Sequence, residues 1–289
     1  MSSPTTVTLF RPIHDAHAIL EEMIFFEFSP ALEEAMPGLI SLKDELKTEF
    51  PAHEILNTLK VQFTQQEQKQ PELSTPEINK AAGIRLNRFG SDGIIDQNIQ
   101  INQDLIGIFC RNYSIWDKIW PEQKSYIARI FAKIVGTQSF LTGIGMRWID
   151  QFIYMGDDAS YNAEDLLKTS SPYLHGRAFS SGARWHCHTG WFDPETYAGR
   201  EVLNQLNLDA GLVNVDGKMS TAVTVTHTQI LRVTQQPDEL AAFMPHRGDG
   251  LGTLSGLMDA LHDGNKRILG DLLTDSMCER ISLRSRQTA

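Results

Sequence analysis

The fold is decided by a stretch in which apolar and polar residues alternate strictly, Ile84-Arg85-Leu86-Asn87-Arg88-Phe89. A period of two is typical of a strand with one buried face. The run Gly90-Ser91-Asp92-Gly93 then supplies a turn, and further strand-like runs follow over 94–101 and 105–111. Strands joined by such short connections pair antiparallel. The stretch therefore predicts an antiparallel sheet.

Helical periodicity marks three segments outside these strands. Apolar residues recur at three- and four-residue intervals around 39–50, from 116 to about 135, and from 254 to 281. The tryptophans of the second segment fit its stripe and are predicted core residues. The third segment predicts one amphipathic helix that closes the chain, with the stripe Leu254, Met258, Leu261, Ile268 and Leu272. Asn265 lies inside this stripe, and since a buried amide needs hydrogen-bond partners, we expect it to fix the helix register.

The order of elements predicts two similar halves. Further strands are expected at 19–28, 55–65, 144–154, 179–192, 201–213 and 220–233. The sequence thus predicts an α+β fold of antiparallel sheets covered by long amphipathic helices, with the same strand-then-helix order in both halves. The predicted segments are a loose N-terminal arm over 1–17, an N-terminal half over 18–156 and a C-terminal half over 173–289.

The composition is that of a globular protein. Of 289 residues, 41% are hydrophobic and 21% are charged, which excludes disordered and fibrous classes. The formal net charge of −10 argues against a nucleic-acid partner, because phosphate binding requires clustered Lys and Arg. No apolar run reaches the roughly 20 residues of a membrane span. Three cysteines without paired spacing favour a reducing cytoplasm, so we expect a cytoplasmic protein without a membrane partner.

Several landmarks follow one another along the chain. They are Glu21-Glu22 leading to Phe28, Glu49-Phe50-Pro51, Tyr113 and Trp116, Gly145-Met146-Arg147-Trp148-Ile149-Asp150-Gln151-Phe152, Leu261-His262, Asn265, and Leu273-Thr274-Asp275. Together they resemble a sporadically distributed family of uncharacterised bacterial proteins, in which a Gly-Leu-Arg-Tyr-Ile-Asn strand and a terminal helix with Leu-His, Asn and Thr-Asp recur. Here Met146, Trp148 and Asp150 stand where the family has Leu, Tyr and Asn. The resemblance implies one shared fold and an accessory role in mobile or defence-associated loci, and it implies no catalytic residues.

Four polar residues are candidates for a binding network. His262 and Asn265 lie on the closing helix, while Arg147 and Asp150 lie on the strand over 144–154. If the helix packs on this strand, the four side chains form a buried network that either sets the packing or lines a pocket. The alternative is that the polar residues of the helix form ion pairs on its solvated flank, for example with Asp259.

The run Arg184-Trp185-His186-Cys187-His188 is the candidate metal site. Side chains alternate along a strand, so His186 and His188 share one face. His227 in a later strand is a candidate third ligand for Zn or another divalent transition metal. The alternative is hydrogen-bonded or exposed histidines without a cofactor.

Catalytic sequence motifs are absent. The sequence contains neither a phosphate-binding loop with Lys-Ser/Thr nor a Gly-x-Ser-x-Gly elbow. It therefore favours a non-enzymatic interaction component, antitoxin-like, chaperone-like or a defence accessory, that binds a partner protein. Self-association is also expected, because sheet edges need covering. Two alternatives are a metal-dependent enzyme using the paired histidines and a small-molecule-binding module with an apolar cavity.

Overall fold

The computed structural model of the protein describes residues 9–60, 77–197, 199–215, 217–232 and 252–283. The ends of the predicted arm and C-terminal half, 1–8 and 284–289, lie outside this part of the chain. The described residues form ten strands. Their bounds are β1 Phe10–Pro12, β2 Ile19–Ser29, β3 Ala52–Lys60, β4 Glu77–Phe89, β5 Ile95–Ile101, β6 Leu105–Cys110, β7 Phe140–Tyr154, β8 Trp185–Tyr197, β9 Arg200–Val215 and β10 Lys218–Arg232.

All ten strands belong to a single antiparallel sheet. Its order is β3-β4-β5-β6-β2-β7-β10-β9-β8, and β1 pairs with the end of β7. The strands up to β7 form one contiguous part, and β8 to β10 form the other. The two parts join because β7 pairs with β10 from Gly143 opposite Arg232 to Ile153 opposite Ala222. The prediction of separate antiparallel sheets is therefore wrong, whereas the division into the segments 18–156 and 173–289 stays a prediction.

Helices are few in the described residues, and most are short. Their bounds are α1 Met36–Ile40, α2 Leu42–Glu45, α3 Trp116–Ala132, α4 Gly252–Leu272 and α5 Asp275–Arg280, with 3-10 turns at Asp158–Ser160, Ala163–Asp165 and Gly176–Phe179. Strand makes up 45% of the structure and helix 27%. The predicted α+β class, in which long helices cover the sheets, is therefore wrong: the structure is mostly antiparallel sheet, and among the described helices only α3 and α4 are long. No helix in the described ranges is both long and apolar enough to cross a membrane.

Two of the predicted helices are interrupted for local reasons. The segment around 39–50 divides at Ser41 into α1 of 5 residues and α2 of 4 residues. The closing helix stops at Leu272, because Leu273 forms an antiparallel bridge with Leu167. The backbone N–H of Thr274 then donates to the carbonyl of Leu166. The chain after α4 is thus held by the 3-10 region that follows β7.

The two faces of the sheet differ in what packs on them. One face, which we call the helix face, carries Ile24, Met146 and Trp148, and these pack in one core with Ile127 of α3 and Leu261 of α4. The opposite, open face carries the intervening residues of each strand, because neighbouring side chains in a strand point to opposite sides. The two long helices, α3 and α4, therefore come together over the middle of the sheet.

Candidate functional site

The sheet separates the polar residues that were predicted to form a network. Arg147 and Asp150 are three positions apart in β7, so their side chains leave opposite faces. Arg147 lies on the open face, where it donates to Glu21 over 3.1 Å. Asp150 lies on the helix face and is only 2% exposed. Arg147 is therefore separated from the other three predicted members.

Asn265 contacts a buried polar cluster on the helix face. Oδ1 of its side-chain amide is 2.8 Å from Nδ1 of His227, and Nε2 of His227 is 3.1 Å from Oδ1 of Asn204. Gln229 donates its side-chain N–H to the same Asn204 oxygen over 3.0 Å. All four residues are buried. The cluster holds α4 over β9 and β10, which gives Asn265 the kind of hydrogen-bonding position expected of it.

The protonation of this cluster follows from its geometry. Asn204 donates its amide N–H to the carbonyl of Val202 over 3.2 Å, so its Oδ1 is the acceptor that faces His227. Burial lowers the pKa of His227 to about 4, so the ring is neutral at pH 7. A neutral imidazole has one N–H, which must be Nε2–H donating to Asn204. Nδ1 of His227 is then an acceptor, so this hydrogen bond requires the Asn265 amide to be flipped, with its nitrogen instead of its Oδ1 at Nδ1.

His262 lies one turn before Asn265 and faces α3. Its ring stacks on Trp116 with ring centroids 4.8 Å apart and planes 8° apart. Trp116 also stacks on Trp120, with ring centroids 5.4 Å apart. The indole N–H of Trp116 donates to Asp259 over 2.7 Å. These contacts join the start of α3 to the middle of α4 and hold the Trp116 ring in one orientation.

A cavity of about 400 Å³ opens beside this ring stack, and we call it the α3–α4 cavity. Four chain segments form its wall, namely the residues before β2, the start of α3, the middle of α4 and the residues after α5. The lining residues are Ala16, His17, Ile19, Tyr113, Ser114, Ile115, Trp116, Asp117, His262, Lys266, Ile281, Ser282 and Leu283. Apolar and aromatic walls with a few polar groups are typical of small-molecule sites.

Two buried carboxyl groups lie on the sheet beside this cavity. Asp150 is paired in the sheet with Ile19, which lines the cavity, and Glu22 is paired with Trp148. Burial raises the pKa of Asp150 to about 7 and that of Glu22 to about 8. Both carboxyl groups therefore change charge near neutral pH, in contrast to ordinary carboxylates, which ionise near pH 4.

The three histidines of the predicted metal site do not meet. His186 and His188 lie on the open face and are exposed, whereas His227 is buried on the helix face. His186 is 2.6 Å from Asp209, and His188 contacts Asn207. The described residues contain no group of three His, Cys, Asp or Glu side chains that could hold a metal ion. The paired histidines are thus placed beside β9 rather than beside His227.

The α3–α4 cavity contains residues that sequence reasoning assigned to other roles. Trp116 is predicted as a core residue and is indeed only 6% exposed, yet it also forms cavity wall. Glu22 enters the sequence analysis only as part of the Glu21-Glu22 landmark, although an acid next to Met23-Ile24-Phe25-Phe26 in one strand is the available signal of a buried carboxyl group. Lys266 also lines the cavity, and its position next to Asn265 in the sequence did not predict this role.

Comparison with known proteins finds no match for this chain. The chain matches no protein-family model, and no curated protein or solved structure matches it significantly.

Proposed function

We propose that the protein is a small-molecule-binding module whose α3–α4 cavity holds a ligand with an apolar, ring-bearing body. The observation that carries this proposal is the cavity of about 400 Å³ beside the Trp116 and His262 ring stack. Its size lies within the usual range for ligand sites, roughly 300–1,000 Å³. Ile19 and Leu283 supply apolar wall, and Lys266 supplies a charged group that can orient a ligand.

The site is also organised in advance of binding. Trp116 is fixed by stacking on two neighbouring rings and by its hydrogen bond to Asp259. A wall that is already ordered loses little conformational entropy when a ligand binds, which favours affinity. The ordered wall therefore favours ligand binding at this site.

A neutral fluorescent probe tests this function. N-phenyl-1-naphthylamine is a molecule of three aromatic rings whose emission rises in apolar surroundings. We expect saturable binding to the wild-type chain and an affinity about tenfold lower for Ala16→Trp, because the added indole occupies cavity volume. Ala16 is exposed, so the substitution leaves the core intact. The affinity is measured by fluorescence titration.

The matched control places the same ring elsewhere. Val135 is 50% exposed and does not line the cavity, so Val135→Trp should bind the probe as the wild type does. Absence of saturable binding by the wild-type chain, or equal affinities for the two variants, would contradict the proposed function.

The open face supports a second candidate function, interaction with a partner protein. A groove of about 890 Å³ on this side includes the exposed Leu20 and Ile94. The carboxylates of Asp92 and Asp96 also line it, together with the ion pair of Arg111 and Glu21. Apolar side chains flanked by acids fit a basic amphipathic segment of a partner, and the net charge of −10 acts in the same direction. A non-enzymatic, antitoxin-like, chaperone-like or defence accessory role would use this groove.

Tagged co-purification from the native host at native expression tests this second function. We expect one stoichiometric partner, recovered at least about tenfold less with Ile94→Lys, because the substitution places a cation in a site for a basic segment. Val135→Lys is the control and should retain the partner. Sedimentation of the purified chain tests whether a second copy of the chain occupies the groove instead. A dimer that Ile94→Lys dissociates would assign the groove to a second copy and contradict the proposal of a basic partner.

A cytoplasmic location forms part of the proposal. Its support is that Cys110, Cys187 and Cys278 are all free thiols in the structure. Free cysteines are usual in reducing compartments.

A further inference from the structure

Another concavity lies at the start of β8, which is the outermost strand of the sheet at the end opposite to β3. Its volume is about 380 Å³, and we call it the β8 pocket. The lining residues are His175, Arg177, Ala178, Ser181, Arg184, Trp185, His186, Cys187 and His188. It contains the histidine pair that sequence reasoning assigned to a metal.

The lining of the β8 pocket is basic. Two arginines and three histidines contribute to it, and its lining includes no Asp or Glu. Within the described ranges, neither Arg177 nor Arg184 forms an ion pair. Asp209 of β9 contacts His186 over 2.6 Å. Such a concentration of basic groups is unusual for a chain whose net charge is −10.

The backbone on both sides of the pocket is anchored. Ala178 and Trp185 are buried, with 4% and 9% exposure, in the core that also contains Leu208. The indole N–H of Trp185 donates to the hydroxyl of Tyr161 over 3.2 Å. On the other side, Nδ1 of His175 accepts from the backbone N–H of Arg177 over 3.3 Å. The two segments that carry the arginines are therefore held in place by the fold.

We propose that the β8 pocket binds the phosphate group of a small phosphorylated molecule. A guanidinium group offers a planar pair of N–H donors that matches phosphate oxygens, and charge-assisted hydrogen bonds of this kind are the strong ones. Nδ1 of His175 accepts from Arg177, so its neutral ring carries the N–H on Nε2 and adds one further donor to an anion. The net charge of −10 opposes a long polyanion, whereas a pocket of about 380 Å³ suits one phosphorylated group.

Calorimetric titration with inorganic phosphate and with phenyl phosphate tests this site. We expect binding with a 1:1 stoichiometry, and an affinity roughly tenfold to a hundredfold lower in Arg184→Gln, because a charged hydrogen-bond partner is lost. Arg177→Gln should lower the affinity as well. The control is Arg200→Gln, which lies at the other end of the β8–β9 pairing, opposite Tyr197, and should bind phosphate as the wild type does.

The two probes distinguish an organic phosphate monoester from the free phosphate ion. Binding of phenyl phosphate that is tighter than that of inorganic phosphate assigns the site to an organic monoester, and the reverse order assigns it to the free ion. The absence of heat with both probes, or equal affinities for Arg184→Gln and Arg200→Gln, would overturn the proposal. Binding of only a single-stranded oligonucleotide would overturn it too, because the site would then belong to a polyanion. Circular dichroism of each variant shows that its fold is retained.

Discussion

Between pH 5 and pH 8, the free energy of unfolding of the wild-type chain is expected to fall by about 3 kcal/mol more than that of the Glu22→Gln variant. Glu22 is buried, and burial raises its pKa to about 8. In the unfolded chain the same carboxyl group ionises near pH 4.5. Its stabilising effect is therefore complete below about pH 4.5 and is lost as the pH rises toward 8, where the unfolded state has already released the proton.

Urea unfolding of both proteins at the two pH values measures this difference. Asp150 titrates in both proteins, so its contribution largely cancels from the comparison. Gln at position 22 keeps the shape of the side chain and its contact with Gln123, which donates to Glu22 over 2.7 Å. The control is Glu21→Gln, because Glu21 is the neighbouring residue and pairs with Arg111 and Arg147 instead. A Glu22→Gln profile parallel to the wild type would show that Glu22 ionises normally.

Asn204→Leu is expected to destabilise the protein by about 4 kcal/mol, and Asn265→Leu by about 2 kcal/mol. Oδ1 of Asn204 accepts from both His227 and Gln229, so its removal leaves two buried donors without a partner. Asn265 contacts only Nδ1 of His227 in this cluster, and its removal leaves one acceptor. Each stranded buried group costs roughly 1–3 kcal/mol.

The comparison is made by urea unfolding at pH 7, where His227 is neutral. Because the two substitutions are chemically identical and both sites are buried, the ratio of the two losses is more informative than either value. Losses of equal size would contradict the assignment of Nε2 as the protonated atom of His227. Retained probe binding in the Asn265→Leu variant would further show that this cluster supports the fold and not the α3–α4 cavity.

Local patterns predicted single elements better than their assembly. The alternation of Ile84 to Phe89 lies in β4, and the apolar stripe that starts at Trp116 is α3. These patterns depend only on which side of an element is buried. They do not show which strands become neighbours, and the join of β7 to β10 depends on residues far apart in the chain. For this reason the single sheet could not be derived from the elements.

The candidate sites show the same limit. His186 and His188 share a face, as their spacing predicts, but His227 lies on the other face because of the pairing register. In this register Thr189, Leu206 and His227 lie in one row across β8, β9 and β10. A shift of one residue would place His227 on the same face as His188 and in the same row, with β9 between them, since register decides the face. The α3–α4 cavity could not be predicted from the sequence either, because four separate segments form its wall.

The join between β7 and β10 also bears on how the chain acquires its structure during synthesis. All neighbours of β7 on one side, β2 and β1, precede it in the chain, but its neighbour on the other side, β10, is the last strand to emerge. A nascent chain therefore carries β7, a strand of 15 residues, with one unpaired edge until β10 arrives. An exposed edge of this length can pair with another chain. Between the synthesis of β7 and that of β10, this edge is thus exposed to aggregation.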